Sequence, residues 1–321
     1  MVAPKPFFVL APMDDVTDTV FRRVVHANAP ADVYVTEFVN VDGLQSPGRP
    51  KLLKKLRFTA NEGPLVAQLW GLKPENFETT AREIADGTIA RELGLPDGVN
   101  YVGIDLNMGC PAKSEVKNGA CSALIKNRPL AEDIITATKK GAGDFPVSVK
   151  TRLGFTTIDL SWHEFLLGFE LSMLTVHFRT RKEMSKVPAH WEYATEIVGL
   201  RDKIAPQTLV VGNGDVMSRY QGEELAKQHG LDGIMIGRGV FHDPFVFAKN
   251  STWQDIGEIE RKDMLRRHVQ LFADTWQDGE RPIHTLNKFS KIYISDFDGA
   301  KELREQLMAT NSTDELLSIL Q

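Results

Sequence analysis

Eight short apolar runs, most of them followed by an amphipathic stretch, limit the folds open to this chain. They are Phe7–Ala11, Val33–Thr36, Leu65–Leu69, Val102–Leu106, Val147–Lys150, Leu174–His177, Leu209–Val211 and Gly233–Ile236. Between them lie segments of helical character, including Thr19–Ala27, Pro74–Leu93, Leu130–Lys140 and Tyr220–Gly230. Short apolar runs separated by helices indicate strands of a parallel sheet buried on both faces. Eight such units favour a closed barrel over an open doubly wound sheet. An open sheet that binds a dinucleotide carries a Gly-rich turn after its first strand, and Ala11-Pro12-Met13-Asp14 is not one. The expected fold is therefore α/β: a (β/α)8 TIM barrel over residues 1–245, then an all-helical C-terminal domain over 246–321. In that second part Glu258–Trp276, Leu286–Ile294, Gly299–Thr310 and Thr313–Leu320 read as helices.

Composition narrows the setting. With 321 residues, 42% of them hydrophobic, the chain can bury a large core. No run approaches the ~20 apolar residues of a membrane span, and Met1 to Pro6 does not read as a signal peptide. Two cysteines argue against a disulfide framework and against a structural zinc, and for a reducing, cytoplasmic setting. No metal is expected, and a monomer is. A net charge of −5 means that any nucleic-acid surface needs its Lys and Arg gathered on one face.

The residues at the C-terminal ends of the eight runs point to function. In order they are Met13, Glu37, Gln68, Asn107 with Cys110, Lys150 with Arg152, His177 with Arg179, Asn213 with Asp215, and Arg238. A barrel brings these ends to one mouth, where active sites form. The loop Asn107-Met108-Gly109-Cys110-Pro111 holds a thiol just beyond a strand end. Cys121 lies in the next apolar segment and reads as packing. The last two ends, Gly212-Asn213-Gly214-Asp215 and Gly237-Arg238-Gly239, offer backbone N–H groups and a guanidinium to a phosphate.

The N-x-G-C-P run with Lys117-Asn118-Gly119-Ala120-Cys121-Ser122-Ala123-Leu124-Ile125 behind it resembles the tRNA-dihydrouridine synthases. The resemblance extends over nearly the whole chain. It includes Leu10-Ala11-Pro12-Met13, Val66-Ala67-Gln68-Leu69, Val149-Lys150-Thr151-Arg152-Leu153-Gly154, His177-Phe178-Arg179-Thr180-Arg181 and Ile236-Gly237-Arg238-Gly239. It implies a flavin-binding barrel with a helical domain behind it, and NADPH-driven reduction of uridine in tRNA to 5,6-dihydrouridine. It also implies that Cys110 donates the proton. FMN contacts then fall to Pro12, Met13, Gln68, Lys150, His177, Asn213, Gly214, Asp215, Gly237 and Arg238, and substrate contacts to Asn107, Arg152 and Arg179. The chain departs from the family pattern at Ser114 with Glu115, at Phe178 and in the loop 182–190, which puts these departures at the substrate mouth.

The chemistry is consistent with a plain thiol. The C5=C6 bond of uracil accepts hydride at C6 and needs a proton at C5, which a thiol near its free pKa of ~8.5 can give. On charge alone Arg261, Lys262, Arg266, Arg267, His268, Lys288 and Lys291 read as a solvated helical face; the resemblance implies an RNA surface there, shared with Lys51, Lys54, Lys55 and Arg57. Three other functions stay open at this point: a flavin barrel reductase of a small pyrimidine or enone, a dihydrouridine synthase acting on another RNA, and an RNA-binding protein that keeps flavin as a structural ligand.

Overall fold

Successive side chains of a strand point to opposite faces, so parity decides what enters a closed barrel. The computed structural model describes residues 4–321. Its strands are β1 Phe7–Leu10, β2 Val33–Val35, β3 Val39–Asn40, β4 Leu65–Trp70, β5 Gly103–Met108, β6 Val147–Gly154, β7 Met173–Thr180, β8 Leu209–Asn213 and β9 Gly233–Ile236. The sheet runs β2-β1-β9-β8-β7-β6-β5-β4 and closes where β2 pairs with β4, every pairing parallel. The two-residue β3 lies along the far end of β4. The expected eight-stranded barrel is therefore present.

One parity fills the interior in layers. Phe7, Val9, Val35, Val66, Met173, Val211 and Met235 form a small apolar cluster inside the barrel. Toward the mouth the inward positions turn polar. Gln68 is in register with Asp105, and Asp105 with Ser148. Asn107 is in register with Lys150, and Arg152 with His177. The opposite parity (Leu10, Ile104, Leu106, Val149, Leu174 and Val176 among others) packs outward into the main core under the helices.

Several elements differ from the sequence reading for identifiable reasons. β6 and β7 continue past Lys150 and His177 to Gly154 and Thr180, because polar side chains facing a mouth end an apolar run without ending a strand. The stretch Pro74–Leu93 is two helices, Pro74–Ala85 and Thr88–Glu92, parted at Gly87, whose φ of 76° no ordinary helix accepts. The segment after Ala120 is a 3₁₀ turn, Cys121–Lys126.

The C-terminal helices Glu258–Thr275, His284–Tyr293, Ala300–Met308 and Thr313–Ile319 share one continuous apolar cluster with the barrel. Phe289 stacks on Phe21 of the barrel helix Thr19–Asn28 at 4.9 Å between ring centroids. The Trp276 indole donates to Asp18 at 3.0 Å, and Arg281 grips the buried Glu37 carboxylate at 3.1 and 3.2 Å. Two residues expected on the RNA surface belong instead to this packing. Arg261 is buried, donates to the carbonyls of Ile256 and Ser295, and lies 4.1 Å from the Trp253 ring. His268 is buried against Phe289 and Tyr293.

Burial pushes the His268 imidazole down to about 3, so it folds neutral. The unfolded chain binds a proton there below its ordinary value of 6.5, and the folded chain does not. The stability this burial permits is complete above pH 6.5 and is lost as pH falls toward 3. Urea unfolding at pH 7, 6 and 5 should show wild type losing stability more steeply than His268→Gln, by about 1.4 kcal/mol per pH unit well below 6.5. Parallel slopes would contradict a neutral buried His268.

Candidate active site

The strand ends surround a cavity of about 400 Å³ at the C-terminal mouth of the barrel. Thirteen of the fourteen site residues read from the sequence line it; Gln68 does not. Gln68 is fully buried below the floor, where its amide donates to Asp105 at 2.6 Å and accepts from Asn107 at 3.0 Å. Gln68 therefore supports Asn107 from below the cavity lining. Phe38, Ser185, Met217 and His242 also line the cavity. Only Ser185 carried a sequence signal, through its place in the atypical loop 182–190.

One end of the cavity is built to receive an anion. The N–H groups of Gly214, Asp215 and Val216, and of Gly237 and Arg238, find no acceptor among the described residues. Gly214 adopts φ 136°, and a Cβ there would stand 2.8 Å from that of Ala189, so the turn requires glycine. Arg238 is exposed beside these amides. The Asp215 carboxylate accepts from Arg238 at 3.0 Å, from the Ala189 N–H at 3.0 Å and from Arg179. It therefore orients the two guanidiniums, and an acceptor so engaged is poorly suited to meet an anion itself.

The middle of the cavity is cationic. The Lys150 ammonium has no hydrogen-bond acceptor among the described residues, and burial with the nearby Arg152 lowers it to about 8. His177 is held well below its ordinary value by burial and by Arg152, Lys150, Arg179 and Arg238, so it is neutral. Arg179 donates to the Val187 carbonyl at 2.6 Å and lies 3.2 Å from His177 Nε2. Arg152 donates to the carbonyls of Gly109, Thr180 and Met184 at 2.8, 3.1 and 3.0 Å. Both arginines thus bind backbone and brace the loop 182–190.

The thiol loop closes the site. Asn107 Oδ1 accepts the N–H groups of Cys110 at 2.9 Å and Gly109 at 3.2 Å, which sets the turn. Gly109 passes so close to β6 that a Cβ would meet the Thr151 backbone at 3.1 Å. Cys110 emerges half-buried on the cavity wall.

A family model described as Dihydrouridine synthase (Dus) matches residues 9–321. "Probable tRNA-dihydrouridine synthase 2" of Bacillus subtilis (strain 168) is 46% identical over 321 residues, covering 99% of this chain and 94% of its own length. "Probable tRNA-dihydrouridine synthase" of Staphylococcus aureus (strain MRSA252) is 46% identical over 320 residues, covering 99% and 93%. The chain belongs to the dihydrouridine synthase family. It is an oxidoreductase acting on a CH–CH bond of uridine. Morphinone reductase has a similar barrel, with a TM-score of 0.50 over 75% of this chain and 84% of its own at 12% identity, which is a likeness of fold.

Two features of this dihydrouridine synthase depart from what its sequence suggested. Phe178 does not face the substrate mouth: it is buried and packs on Trp191 at 4.7 Å. Cys121 is more than packing. It is fully buried with its backbone in the left-handed region (φ 54°), and it neighbours the Cys110 thiol. Cys121 holds the Cys110 thiol below the usual thiol range, with help from the Ala112 N–H and Arg152 against burial and Glu115. The deeper Cys121 is pushed up by Cys110 and by burial. Cys110 is therefore a stronger acid than the plain thiol expected.

Removing the Cys121 S–H should return the Cys110 thiol toward ordinary values. Alkylation of Cys110 by iodoacetamide, followed against pH, should have a lower midpoint in the wild type than in Cys121→Ala. Superimposable curves would show that the thiols do not interact.

Proposed function

We propose that the protein reduces the C5=C6 bond of a uridine in tRNA to 5,6-dihydrouridine, with FMN bound at the barrel mouth and NADPH as reductant. The observation that carries this reading is a thiol held on the wall of a cavity whose far end presents unpaired amides and an arginine. Those groups fit the phosphate of a mononucleotide: the N–H groups of Gly214, Asp215, Gly237 and Arg238 and the Arg238 guanidinium would hold it. The unpaired Lys150 ammonium and neutral His177 would lie along the ring and ribityl chain, with Pro12, Met13 and Asn213 beside them. The flavin, once bound, supplies the hydride that C6 of the uracil accepts.

The remaining steps belong to the chain. Hydride arrival at C6 develops enolate charge toward O4, which the positive charge of Lys150 and Arg152 on the cavity wall would offset. Cys110 Sγ gives its proton to C5. The thiolate left behind is favoured by the neighbouring Cys121 thiol, the Ala112 N–H and Arg152. Asn107, Arg152 and Arg179, on the same wall, are suited to orient the uracil. The base must leave its stack to reach the cavity, at a cost of roughly a few kcal/mol.

For the RNA, the reading places basic residues of two segments beside the mouth. Lys55 pairs with Asp14 and Lys288 donates to the Asp15 carbonyl, both just after Met13 of the cavity wall, while Lys54 donates to the Glu280 carbonyl and Arg57 pairs with the Glu280 carboxylate. Residues 246–321 then serve as an RNA-binding part built onto the catalytic barrel, in a cytoplasmic monomer. Among the described residues no helix is long and apolar enough to cross a membrane.

Three mutants test the chemistry. Arg238→Ala should release flavin more readily, while Lys150→Ala should keep it and lose reduction rate. Cys110→Ala should be reduced by NADPH at the wild-type rate. Its reoxidation by tRNA under anaerobic conditions should be slower by about 10²–10⁴-fold. Equal reoxidation of wild type and Cys110→Ala would remove Cys110 as the acid, and a protein that cannot take up FMN would sink the whole reading.

The binding surface has its own test. Lys55→Ala and Lys288→Ala should each weaken tRNA binding and reduce the salt slope of log K by about 1. Unchanged slopes in both would place the RNA elsewhere on the molecule.

A further inference from the structure

Inside the barrel, one layer below Asn107, lies Asp105, only 2% exposed and in register with Gln68 on one side and Ser148 on the other. Its two carboxylate oxygens are both engaged. The Ser148 hydroxyl donates to Oδ1 at 2.6 Å and the Gln68 amide NH₂ donates to Oδ2 at 2.6 Å. Burial raises this carboxyl to about 6, against the hydrogen bonds of Ser148 and Gln68 and the charge of Lys150, so it is still ionised at neutral pH.

An ionised carboxylate only accepts, and that property propagates. The two ends of a glutamine or asparagine amide have nearly the same shape, so their orientation is set by what faces them. Because Asp105 accepts, Gln68 turns its NH₂ inward and its carbonyl toward Asn107. Asn107 must then donate to Gln68, at 3.0 Å, which leaves its own carbonyl to accept the Cys110 and Gly109 N–H groups. Reversing any one amide would aim donor at donor somewhere along the chain.

We infer that Asp105 is a positioning residue for the proton donor, an acceptor-only anchor that fixes the polarity of a Gln68–Asn107 relay and so holds the Cys110 loop against the cavity. Its bearing on catalysis rests on the reading of Cys110 as the acid given above; the relay itself does not.

A relay with fixed polarity responds to paired substitutions in a way that independent structural roles do not. Asn107→Asp alone places a second acceptor-only group at the far end, so the Gln68 carbonyl faces a carboxylate and no orientation satisfies the relay. Asp105→Asn alone is tolerated, because the Ser148 hydroxyl can turn toward the Ile104 carbonyl, 3.3 Å away, and accept from the new amide. The double variant D105N/N107D reverses the relay with every partner satisfied. Ser148 then donates to the amide carbonyl introduced at position 105, and the NH₂ of that amide donates to Gln68. Gln68 and the Cys110 N–H in turn donate to the carboxylate introduced at position 107.

The experiment is a double-mutant cycle on the flavin-loaded enzyme, read by melting temperature and by the rate of Cys110 alkylation with iodoacetamide. N107D should melt lower and alkylate at an altered rate. D105N/N107D should melt higher than N107D by about 3 °C or more and return the alkylation rate toward wild type. A double variant no more stable than N107D, or neither variant folding, overturns the relay, since the double leaves no group unpaired. Neither readout requires Cys110 to be an acid. Should Cys110→Ala reoxidise on tRNA at the wild-type rate while the cycle shows rescue, the acid reading falls and the relay stands. Should Cys110→Ala be inert and the cycle additive, the relay falls alone.

Discussion

Where Tyr34 and Val35 of β2 lie in register with Leu65 and Val66 of β4, the parallel sheet meets itself and has no free edge within the barrel. That closure is what the site depends on. Parallel strands closed into a ring deliver all their C-terminal ends to one rim, and the alternation of side chains then delivers every second residue to the space inside. Gln68, Asp105, Asn107, Lys150, Arg152, His177 and Asn213 are distant in sequence, yet cross-strand register makes them a stack of adjacent polar layers. Below them Val9, Val66, Val211 and Met235 plug the barrel. The mouth is thus a pocket with a floor.

The electrostatics of that pocket oppose the chain's overall charge. A protein with net charge −5 gathers Lys150, Arg152, Arg179 and Arg238 around one cavity, and the cost is visible in their mutual effects: Lys150 and Arg152 are both lowered, and His177 stays neutral. Two negative groups offset this. Asp215 bridges Arg179 and Arg238, and Asp105 lies under Lys150. Positive charge that the protein's own anions satisfy only in part is what an incoming anionic ligand meets.

The barrel was legible because its strands are buried on both faces and therefore read as apolar runs, and the site because polar residues follow those runs directly. What stayed hidden depended on packing between distant segments. Arg261 and His268 look like members of a basic helical face, but only the folded chain reveals Trp253, Ser295, Phe289 and Tyr293 around them. Phe178 sits beside a cavity-lining histidine in sequence, and strand parity sends it the other way, onto Trp191. Gln68 has the right parity but the wrong depth, and depth in a barrel is set by the stagger between strands, which composition does not encode. The two-residue β3 is too short to leave a periodic signal at all.

The pairing of Cys110 with Cys121 has a consequence for how the acid works. A general acid is most effective when its pKa lies near the working pH, since a weaker acid gives its proton less readily and a stronger one is already ionised. An isolated thiol near ~8.5 is protonated but reluctant. A thiol lowered toward the working pH by its Cys121 neighbour gives its proton more readily and leaves a thiolate that the Ala112 N–H and Arg152 favour. The left-handed backbone at Cys121 (φ 54°) is a conformation that non-glycine residues rarely take, and it is held by the turn that follows, where the Ser122 N–H donates to the Cys110 carbonyl at 3.3 Å. The same hydrogen bond ties the Cys110 loop to the segment that carries Cys121. Acid strength at Cys110 and the fold of the segment behind it are therefore linked.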